Sequence, residues 1–251
     1  MDTRPPKSTR IIPCDECPLC RNDSFRNFEG NELSYISGFK RGELVAEGGS
    51  TIYVEGSNSP HLYTVISGWG FRYKTLEDGR RQILNYVLPG DFLGLQGSLL
   101  TEMMHSVEAL SDILLCVFER DRLFDLFKEQ PGLGFDITWL GAREEQMLDE
   151  HLLSVGRRSA LERASYLLAF IYERAKLVGL FRKSAVITPL TQQHVADTLG
   201  LSLVHTNKTL RKLQSRGVIA WKDAGFVIKD IDALMKIAGW EGLPEGKRRF
   251  I

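Results

Sequence analysis

Three of the four cysteines in this 251-residue chain lie in one short stretch near the N-terminus, CDECPLC, with two residues between each neighbouring pair. These are Cys14, Cys17 and Cys20, and the fourth, Cys116, stands far along the chain. Two-residue spacers let neighbouring thiolates bind different irons of one iron–sulfur cluster, as in bacterial ferredoxins. The residues alone leave three alternatives open: zinc held by four thiolates, a Cys-x-x-Cys redox switch, and inert thiols, with Cys116 as a small buried hydrophobic residue.

A second chemical signal is a local excess of positive charge in a chain whose formal net charge is zero. The stretch from Ser202 to Trp221 contains four basic residues and no acidic one. The basic residues are Lys208, Arg211, Lys212 and Arg216. Such a stretch indicates one module that faces an anionic partner such as nucleic acid.

Length and composition indicate a globular protein of two domains. Apolar residues make up 43% and charged residues 25% of the chain, which is ordinary for a soluble protein. No run approaches the roughly 18 apolar residues of a membrane helix, and the start, MDTRPPKSTRIIPCDE, lacks the apolar core of a signal peptide. We therefore expect a cytoplasmic protein with no membrane partner, in which thiols stay reduced.

The segment from Lys40 to Glu119 is rich in predicted strands. Short apolar runs such as TIYVEG, LYTVISG, RRQILNYVL and ILLCVFE alternate with Gly, Asn, Pro and Asp. This pattern is typical of an antiparallel sandwich or roll. Asp78 and Gly79, between two of the runs, predict a tight hairpin turn.

A long amphipathic helix is predicted after Pro131, because apolar residues recur at three- and four-residue steps to about residue 153. Such a stripe often pairs with a copy of itself, although it could instead pack on its own sheet. The residues assigned to a dimer interface are Ile137, Leu140, Glu144, Met147, Leu148 and His151. A second helix is expected between a Ser159 cap and Gly179.

The stretch PLTQQHVADTLGLSLVHTNKTLRKLQSRGVI carries the most specific pattern, two helices joined by a tight turn. Thr191 and Ser202 are suited to cap the helices and Gly200 to end the first, while Ala196 allows the two helices to approach closely. This is the spacing of a DNA-binding helix-turn-helix. The following VIAWKDAGFVI predicts a hairpin wing, and Asp230 a cap for a last short helix.

In this order of roll, long helix and winged helix, the chain resembles the CRP/FNR family of bacterial transcription regulators. The resemblance rests on LPGDFLGL at 88–95, HSVEAL at 105–110 and LTQQHVADTLGLSLVHTNKTL at 190–210. It implies an α+β fold: an N-terminal antiparallel β-roll of the cyclic-nucleotide-binding jelly-roll type, a dimerisation helix and a C-terminal winged helix-turn-helix. The expected segments are an irregular cysteine-bearing start (1–30), the sensor roll (31–130), the dimerisation helix (131–155) and the DNA-binding domain (156–251).

The resemblance also bears on what the roll senses. Members that bind cyclic AMP use an acid for the ribose and an Arg-Ser pair for the phosphate. Here Leu95 and the pair His105-Ser106 occupy those positions. A phosphate buried without its cation is heavily penalised, so cyclic AMP is not expected.

The oxygen-sensing FNR branch of the family instead holds a [4Fe-4S] cluster with three N-terminal cysteines and one in the roll. Carried onto this sequence, the metal ligands are Cys14, Cys17, Cys20 and Cys116. That branch usually has a longer spacer before its third ligand, whereas here only two residues separate Cys17 from Cys20. This difference puts the assignment of Cys20 in question. The alternative within the same regulator class is control by thiol oxidation or without any cofactor.

The second helix of the motif carries the candidate base-reading residues. Leu203, Leu210 and Leu213 are expected to face inward, which leaves an outward stripe. The assigned contacts are Val204, Asn207 and Lys208 to bases, and Thr191, Ser202 and Arg211 to phosphates of double-stranded DNA. The resemblance places Glu and Arg where this chain has Val204 and Lys208. We therefore expect a two-fold symmetric operator, bound by a homodimer, that differs from the usual FNR consensus.

An enzyme is not expected, because the sequence shows neither a nucleophile beside a base nor a phosphate-cradling glycine loop. An iron–sulfur electron carrier would use the same cysteines, but the winged helix argues against it. By resemblance, surface loops of the roll can contact RNA polymerase. The basic residues in those strands and turns are Arg72, Lys74, Arg80 and Arg81.

Overall fold

The computed structural model describes residues 11–180, 188–222, 225–243 and 246–251. Contacts group the chain into two compact units. The first comprises Met1–Arg72, Val87–Glu145 and Gly246–Ile251, and the second comprises Tyr73–Tyr86 and Gln146–Glu245. In this grouping, residues 73–86 of the β-rich region fall in the unit that contains the helix-turn-helix, and residues 246–251 fall in the unit of the roll.

The strands of the roll form two four-stranded sheets. In chain order they are β1 (Lys40–Ala46), β2 (Thr51–Tyr53), β3 (His61–Ser67), β4 (Gly70–Thr75), β5 (Arg81–Val87), β6 (Phe92–Leu93), β7 (Ser106–Ala109) and β8 (Ile113–Glu119). One sheet has the order β1-β8-β3-β6 and the other β2-β7-β4-β5. The predicted antiparallel jelly-roll-like fold is confirmed.

The turn between β4 and β5 is the hairpin that the sequence predicted. Gly79 has φ +84, which favours glycine. Asp78 Oδ1 accepts a hydrogen bond of 3.0 Å from the backbone N–H of Arg80. Local chemistry at these two residues therefore fixes the register of the hairpin.

Two apolar clusters stabilise the first unit. Side chains such as Val65, Val107 and Leu115 fill one cluster and are fully buried. Successive residues of a strand face opposite sides, so Cys116 and Phe118 belong to the other cluster. The first unit also contains α1 (Glu32–Phe39), α2 (Leu95–Leu100) and α3 (Leu123–Glu129), together with the part of α4 (Pro131–Arg157) up to Glu145.

The second unit contains the winged helix. Its helices are α5 (Ala160–Leu177), α6 (Gln192–Leu199), α7 (Leu203–Ser215) and α8 (Ile231–Ala238). Strands β9 (Ile219–Lys222) and β10 (Gly225–Ile228) pair antiparallel as the predicted wing, whose turn at 223–224 lies outside the described residues. Ser159 forms a capping box with Glu162, and Asp230 accepts from the N–H of Ala233 at 2.9 Å, so both predicted caps are confirmed.

None of the helices in the described part of the chain is both long enough and apolar enough to cross a membrane.

Candidate functional site

The two helices of the helix-turn-helix are held by local hydrogen bonds. Thr191 Oγ1 accepts from the N–H of His194, and Ser202 Oγ accepts from the N–H of His205, each at 3.2 Å. Gly200 ends α6 with φ +63, a left-handed conformation that favours glycine. The start of α7 is therefore fixed by side chains that the sequence had singled out.

Small and apolar residues pack α6 and α7 inside the second unit. Ala196, Leu210 and Leu213 are buried, as expected. Leu203 was expected to face inward as well, but its side chain is 41% exposed. It is the first residue of α7, and its side chain is not fully covered by the rest of the unit.

The exposed face of α7 contains three of the six predicted DNA contacts. Val204 is 80% exposed, and Lys208 and Arg211 are exposed on the same side of the helix. His205 is also exposed, although the predicted stripe did not include it. The sequence feature that could have identified His205 is its position next to Val204 in the first turn of α7, because recognition helices approach base edges with their first turns.

Asn207 lies at the border of this face. Its side chain is half-buried, and Asn207 Oδ1 is covered and has no hydrogen-bond partner among the described residues. Reading an adenine requires that oxygen together with the amide nitrogen. The side chain must therefore turn outward before both atoms can reach a base edge.

Thr191 and Ser202 have a geometry suited to phosphate. Both side chains are exposed, and each hydroxyl oxygen already accepts a bond from its own helix. A hydroxyl that accepts in this way keeps its own proton free to donate. The neighbouring helix N-termini favour an anion as well.

All four cysteines line a single cavity of the first unit. Cys14 begins a 3-10 turn (Cys14–Glu16), Cys17 and Cys20 follow it, and Cys116 reaches the cavity from β8. The first three are half-buried and Cys116 is buried, and none forms a disulfide. The structure thus brings together the residues that the sequence kept about a hundred positions apart.

The segment that bears the cysteines is tied to the roll by β1. Lys40 Nζ donates to the main-chain oxygen of Ile12 at 2.7 Å, and the N–H of Ile12 donates to Glu43 Oε1 at 2.8 Å. Lys40 and Glu43 also pair with each other at 2.6 Å. Of the segment expected to be irregular, residues 1–10 lie outside the described part, and the rest is anchored.

The thiols differ in acidity. A hydrogen bond with Cys20 lowers the pKa of Cys17 to about 6, and the same bond raises the pKa of Cys20. The Cys20 thiol is also placed to donate to the main-chain oxygen of Cys14, at 3.2 Å. Burial raises the pKa of Cys116 to about 12. Cys17 is therefore the more acidic thiol of the Cys17–Cys20 pair.

The donor set fits a tetrathiolate group in kind, in number and in its shared cavity. Within the described residues, however, no three His, Cys, Asp or Glu side chains are gathered closely enough to hold a metal ion. The finding concerns a zinc ion and a cluster alike, so neither site is preformed among the described residues. Zinc ligands all lie about 2.3 Å from one atom, whereas cluster ligands bind separate irons.

The residues assigned to a dimer interface fall mainly on the covered side of α4. Ile137 is 1% exposed, and Leu140 and Met147 are buried within the single chain. The other three, Glu144, Leu148 and His151, are half-buried, and Glu144 is paired with Arg72. The exposed large apolar side chains of α4 are Phe135, Leu152 and Leu153. Leu152 belongs to the apolar stripe predicted from the sequence, but none of the three was assigned to the dimer interface.

The positions that would hold a cyclic nucleotide carry other contacts. Leu95 begins α2, and the neighbouring Gln96 Oε1 lies 2.8 Å from His105 Nδ1. Ser106 is buried and its Oγ accepts from the N–H of Glu55 at 3.0 Å. None of these positions carries an arginine, the residue expected to pair with a phosphate.

Two parts of the chain match known domain families. Residues 43–130 match the cyclic nucleotide-binding domain, and residues 164–237 match the Crp-like helix-turn-helix domain.

Similar proteins span nearly the whole chain. Transcriptional activator protein FnrL of Cereibacter sphaeroides is 29% identical, over 94% of this chain and 97% of FnrL. Nitrogen fixation regulation protein FixK of Bradyrhizobium diazoefficiens is 31% identical, over 86% of this chain and 90% of FixK. Among solved structures, FixK2 from Bradyrhizobium japonicum has a TM-score of 0.70 at 24% identity, over 81% of this chain and 98% of that chain, which shows the same fold.

Proposed function

The chain belongs to the CRP/FNR family of transcription regulators, and we propose that it binds a two-fold symmetric DNA site as a homodimer, controlled by a [4Fe-4S] cluster on its four cysteines. DNA binding through the helix-turn-helix follows from the family. Its relatives regulate transcription and are not enzymes, in keeping with the sequence. The dimer and the cluster are the parts proposed here.

The observation that carries the cluster proposal is the shared cavity. Cys116 comes from β8 and the other three cysteines from the N-terminal segment, yet all four thiols line the same space. When bound, a cluster of this kind supplies an oxygen-labile redox centre. The lysine that anchors the cysteine segment, Lys40, adds to the lowering of the Cys17 pKa that the Cys20 hydrogen bond mainly causes. At Cys116 its charge only partly offsets the burial that raises the pKa. A nearby cation favours the thiolate forms that such a group requires.

A second candidate is a thiol switch without metal, favoured by the low pKa of Cys17. In this reaction Cys17 and Cys20 form one S–S bond and lose two protons and two electrons to an oxidant such as a peroxide. The low-pKa thiolate would attack first, and Cys20 would resolve the intermediate. This candidate needs neither Cys14 nor Cys116.

A homodimer would place two copies of α7 on successive major grooves of DNA. The exposed apolar residues of α4, Phe135, Leu152 and Leu153, are the surface that pairing would cover. Contact with RNA polymerase would fall on exposed residues of the β4–β5 hairpin such as Lys74 and Arg80, although Arg80 also pairs with Asp78 at 2.7 Å. Arg72 is buried and paired with Glu144, and the half-buried Arg81 pairs with Asp197 at 3.2 Å, so these two are less exposed.

The cluster is tested by measuring iron, acid-labile sulfide and zinc per chain after strictly anaerobic purification. We expect about four irons and four sulfides per chain. Cys116→Ala should lose them, whereas Val117→Ala, on the same strand but facing the other apolar cluster, should retain them.

Iron-free protein that binds DNA tightly would overturn the cluster proposal. Loss of that binding on peroxide treatment, in wild type and Cys116→Ala but not in Cys17→Ala, would establish the thiol switch instead. One zinc per chain would establish a single-ion site.

A further inference from the structure

The C-terminal segment 246–251 pairs with the N-terminal segment of the chain. The N–H of Arg248 donates to the main-chain oxygen of Ser24, and the N–H of Arg26 donates to the main-chain oxygen of Arg248, both at 2.8 Å. Phe25 and Arg248 thereby form a parallel bridge. We call residues 246–251 the strap.

Two ion pairs anchor the strap. Arg248 Nη2 lies 2.6 Å from Asp91 Oδ1, and both side chains are nearly covered. Arg249 pairs with Asp136 of α4, which is fully buried and is also paired with Arg26. Removing one partner of a covered pair leaves the other charge uncompensated, so these contacts hold the strap firmly.

The end of the strap reaches the cysteine cavity. Phe250 packs against Phe25 and Phe28, with ring centroids 5.2 and 4.9 Å apart. The main-chain oxygen of Ile251 accepts from Thr64 Oγ1 at 2.6 Å, and Thr64 is the β3 residue directly opposite Cys116.

Phe250 and Ile251 are each 3% exposed, and both line the cavity together with the four cysteines. The cavity wall therefore includes residues from both ends of the described chain. The main-chain oxygen of Ile251 is thus bonded to the strand that faces Cys116.

We propose that the strap is a structural part of the cysteine site, in which Phe250 and Ile251 close the cavity and limit the access of water and oxidants to the thiols. The inference rests on the proposed role of the cysteines for its biological meaning. Detachment of the strap would expose the cysteine site.

The experiment measures how fast iodoacetamide alkylates Cys116 in the full-length, reduced, iron-free chain, with peptide mass spectrometry as the readout. Phe250→Ala and Arg248→Ala disturb different anchors of the strap. Each should raise the rate about tenfold or more, since local opening controls access to a buried group. Lys247→Ala is the matched control, because Lys247 is exposed within the strap.

Thermal unfolding by circular dichroism shows that each variant is folded, and amide hydrogen exchange at Arg248 shows whether the strap has detached. Faster exchange with an unchanged alkylation rate at Cys116 would overturn the proposal. So would equal rates in Phe250→Ala and Lys247→Ala.

A parallel assay follows the loss of iron in air from anaerobically purified protein. Faster loss in Phe250→Ala than in Lys247→Ala supports the strap as a barrier. If wild type holds no iron, the alkylation result still decides the role of the strap. If the wild type holds iron but the strap variants do not change the alkylation rate of Cys116, the strap proposal is overturned and the cluster proposal is not.

Discussion

Tyr86 on β5 and Thr198 on α6 share a hydrogen bond of 2.8 Å between Tyr86 Oη and Thr198 Oγ1, and both residues are buried. Beside it, Gln82 Nε2 donates to the main-chain oxygen of Thr198 at 2.9 Å, and Arg81 pairs with Asp197. The β4–β5 hairpin thus contacts the first helix of the DNA-binding motif.

Replacing Tyr86 by Phe should lower the free energy of unfolding by about 1 kcal/mol, the usual net worth of a hydrogen bond. Thr198 stays satisfied in this variant, because its hydroxyl also donates to the main-chain oxygen of His194 at 2.7 Å. Urea unfolding of Tyr86→Phe, Thr198→Val and the double variant measures the coupling between them. A coupling energy near zero would show that the bond contributes nothing.

Substituting Leu152 by Glu should prevent dimer formation without unfolding the chain. Leu152 is 73% exposed on α4, so a charge there is solvated in the monomer but buried in a paired interface. Sedimentation velocity over a range of concentrations measures the change. Glu145→Gln, at an exposed polar position of the same helix, is the control. A dimer of unchanged affinity in Leu152→Glu would place the interface elsewhere.

Local features were readable from the sequence because their partners lie close along the chain. The caps at Thr191 and Ser202 each join residues three positions apart. The bonds from Thr64 to Ile251 and from Tyr86 to Thr198 span 187 and 112 positions, and no periodicity or turn residue signals such a pairing. The dimer interface predicted on α4 could not be read from the sequence for the same reason. An apolar pattern on a helix does not tell whether residues of the same chain or of a second chain cover it.

The cysteine site could be predicted from the sequence only in part. The two-residue spacers of Cys14, Cys17 and Cys20 were visible, but the position of Cys116 beside them was suggested only by the family resemblance. The structure adds the strap residues Phe250 and Ile251, which carry no chemical signal in the sequence. Their apolar type suits any core.

Alkylation of Cys17 in the iron-free chain should rise with pH around a midpoint of about 6, because a hydrogen bond with Cys20 lowers its pKa from 9.0 to about 6. Cys20→Ala removes this bond and should move the midpoint toward 9.0. Mass spectrometry after short iodoacetamide pulses resolves each thiol. A wild-type midpoint near 9 would contradict the assigned hydrogen bond.

The same shift affects folding stability. A depressed pKa in the folded state stabilises the fold above the unfolded value of 9.0, and this contribution is lost as pH falls through about 6. Between these limits, the urea midpoint of the iron-free chain should rise with pH more steeply in wild type than in Cys17→Ala. Equal slopes would mean that Cys17 does not titrate differently on folding.

The base preference at the start of α7 should depend on residue 204. Val204 can pack on a thymine methyl, whereas a glutamate there accepts a hydrogen bond from cytosine N4. Val204→Glu should therefore shift the preference at one base pair of each half-site by about 1–3 kcal/mol toward cytosine, while Val204→Ala should only weaken the existing preference. Competition binding against a library of two-fold symmetric duplexes measures both.

Arg211 and Lys208 lie on the same face of α7 but are predicted to contact different parts of the DNA. Arg211→Ala removes a predicted phosphate contact, so it should weaken binding to all DNA sequences alike and reduce the slope of log affinity against log salt concentration by about 0.9 per contact. Lys208→Ala removes a predicted base contact, so it should instead reduce the discrimination between guanine and other bases. Lys236→Ala, exposed on α8, is the charge-matched control and should leave the salt slope unchanged. If Lys208→Ala weakens every duplex equally, its side chain contacts phosphate rather than a base.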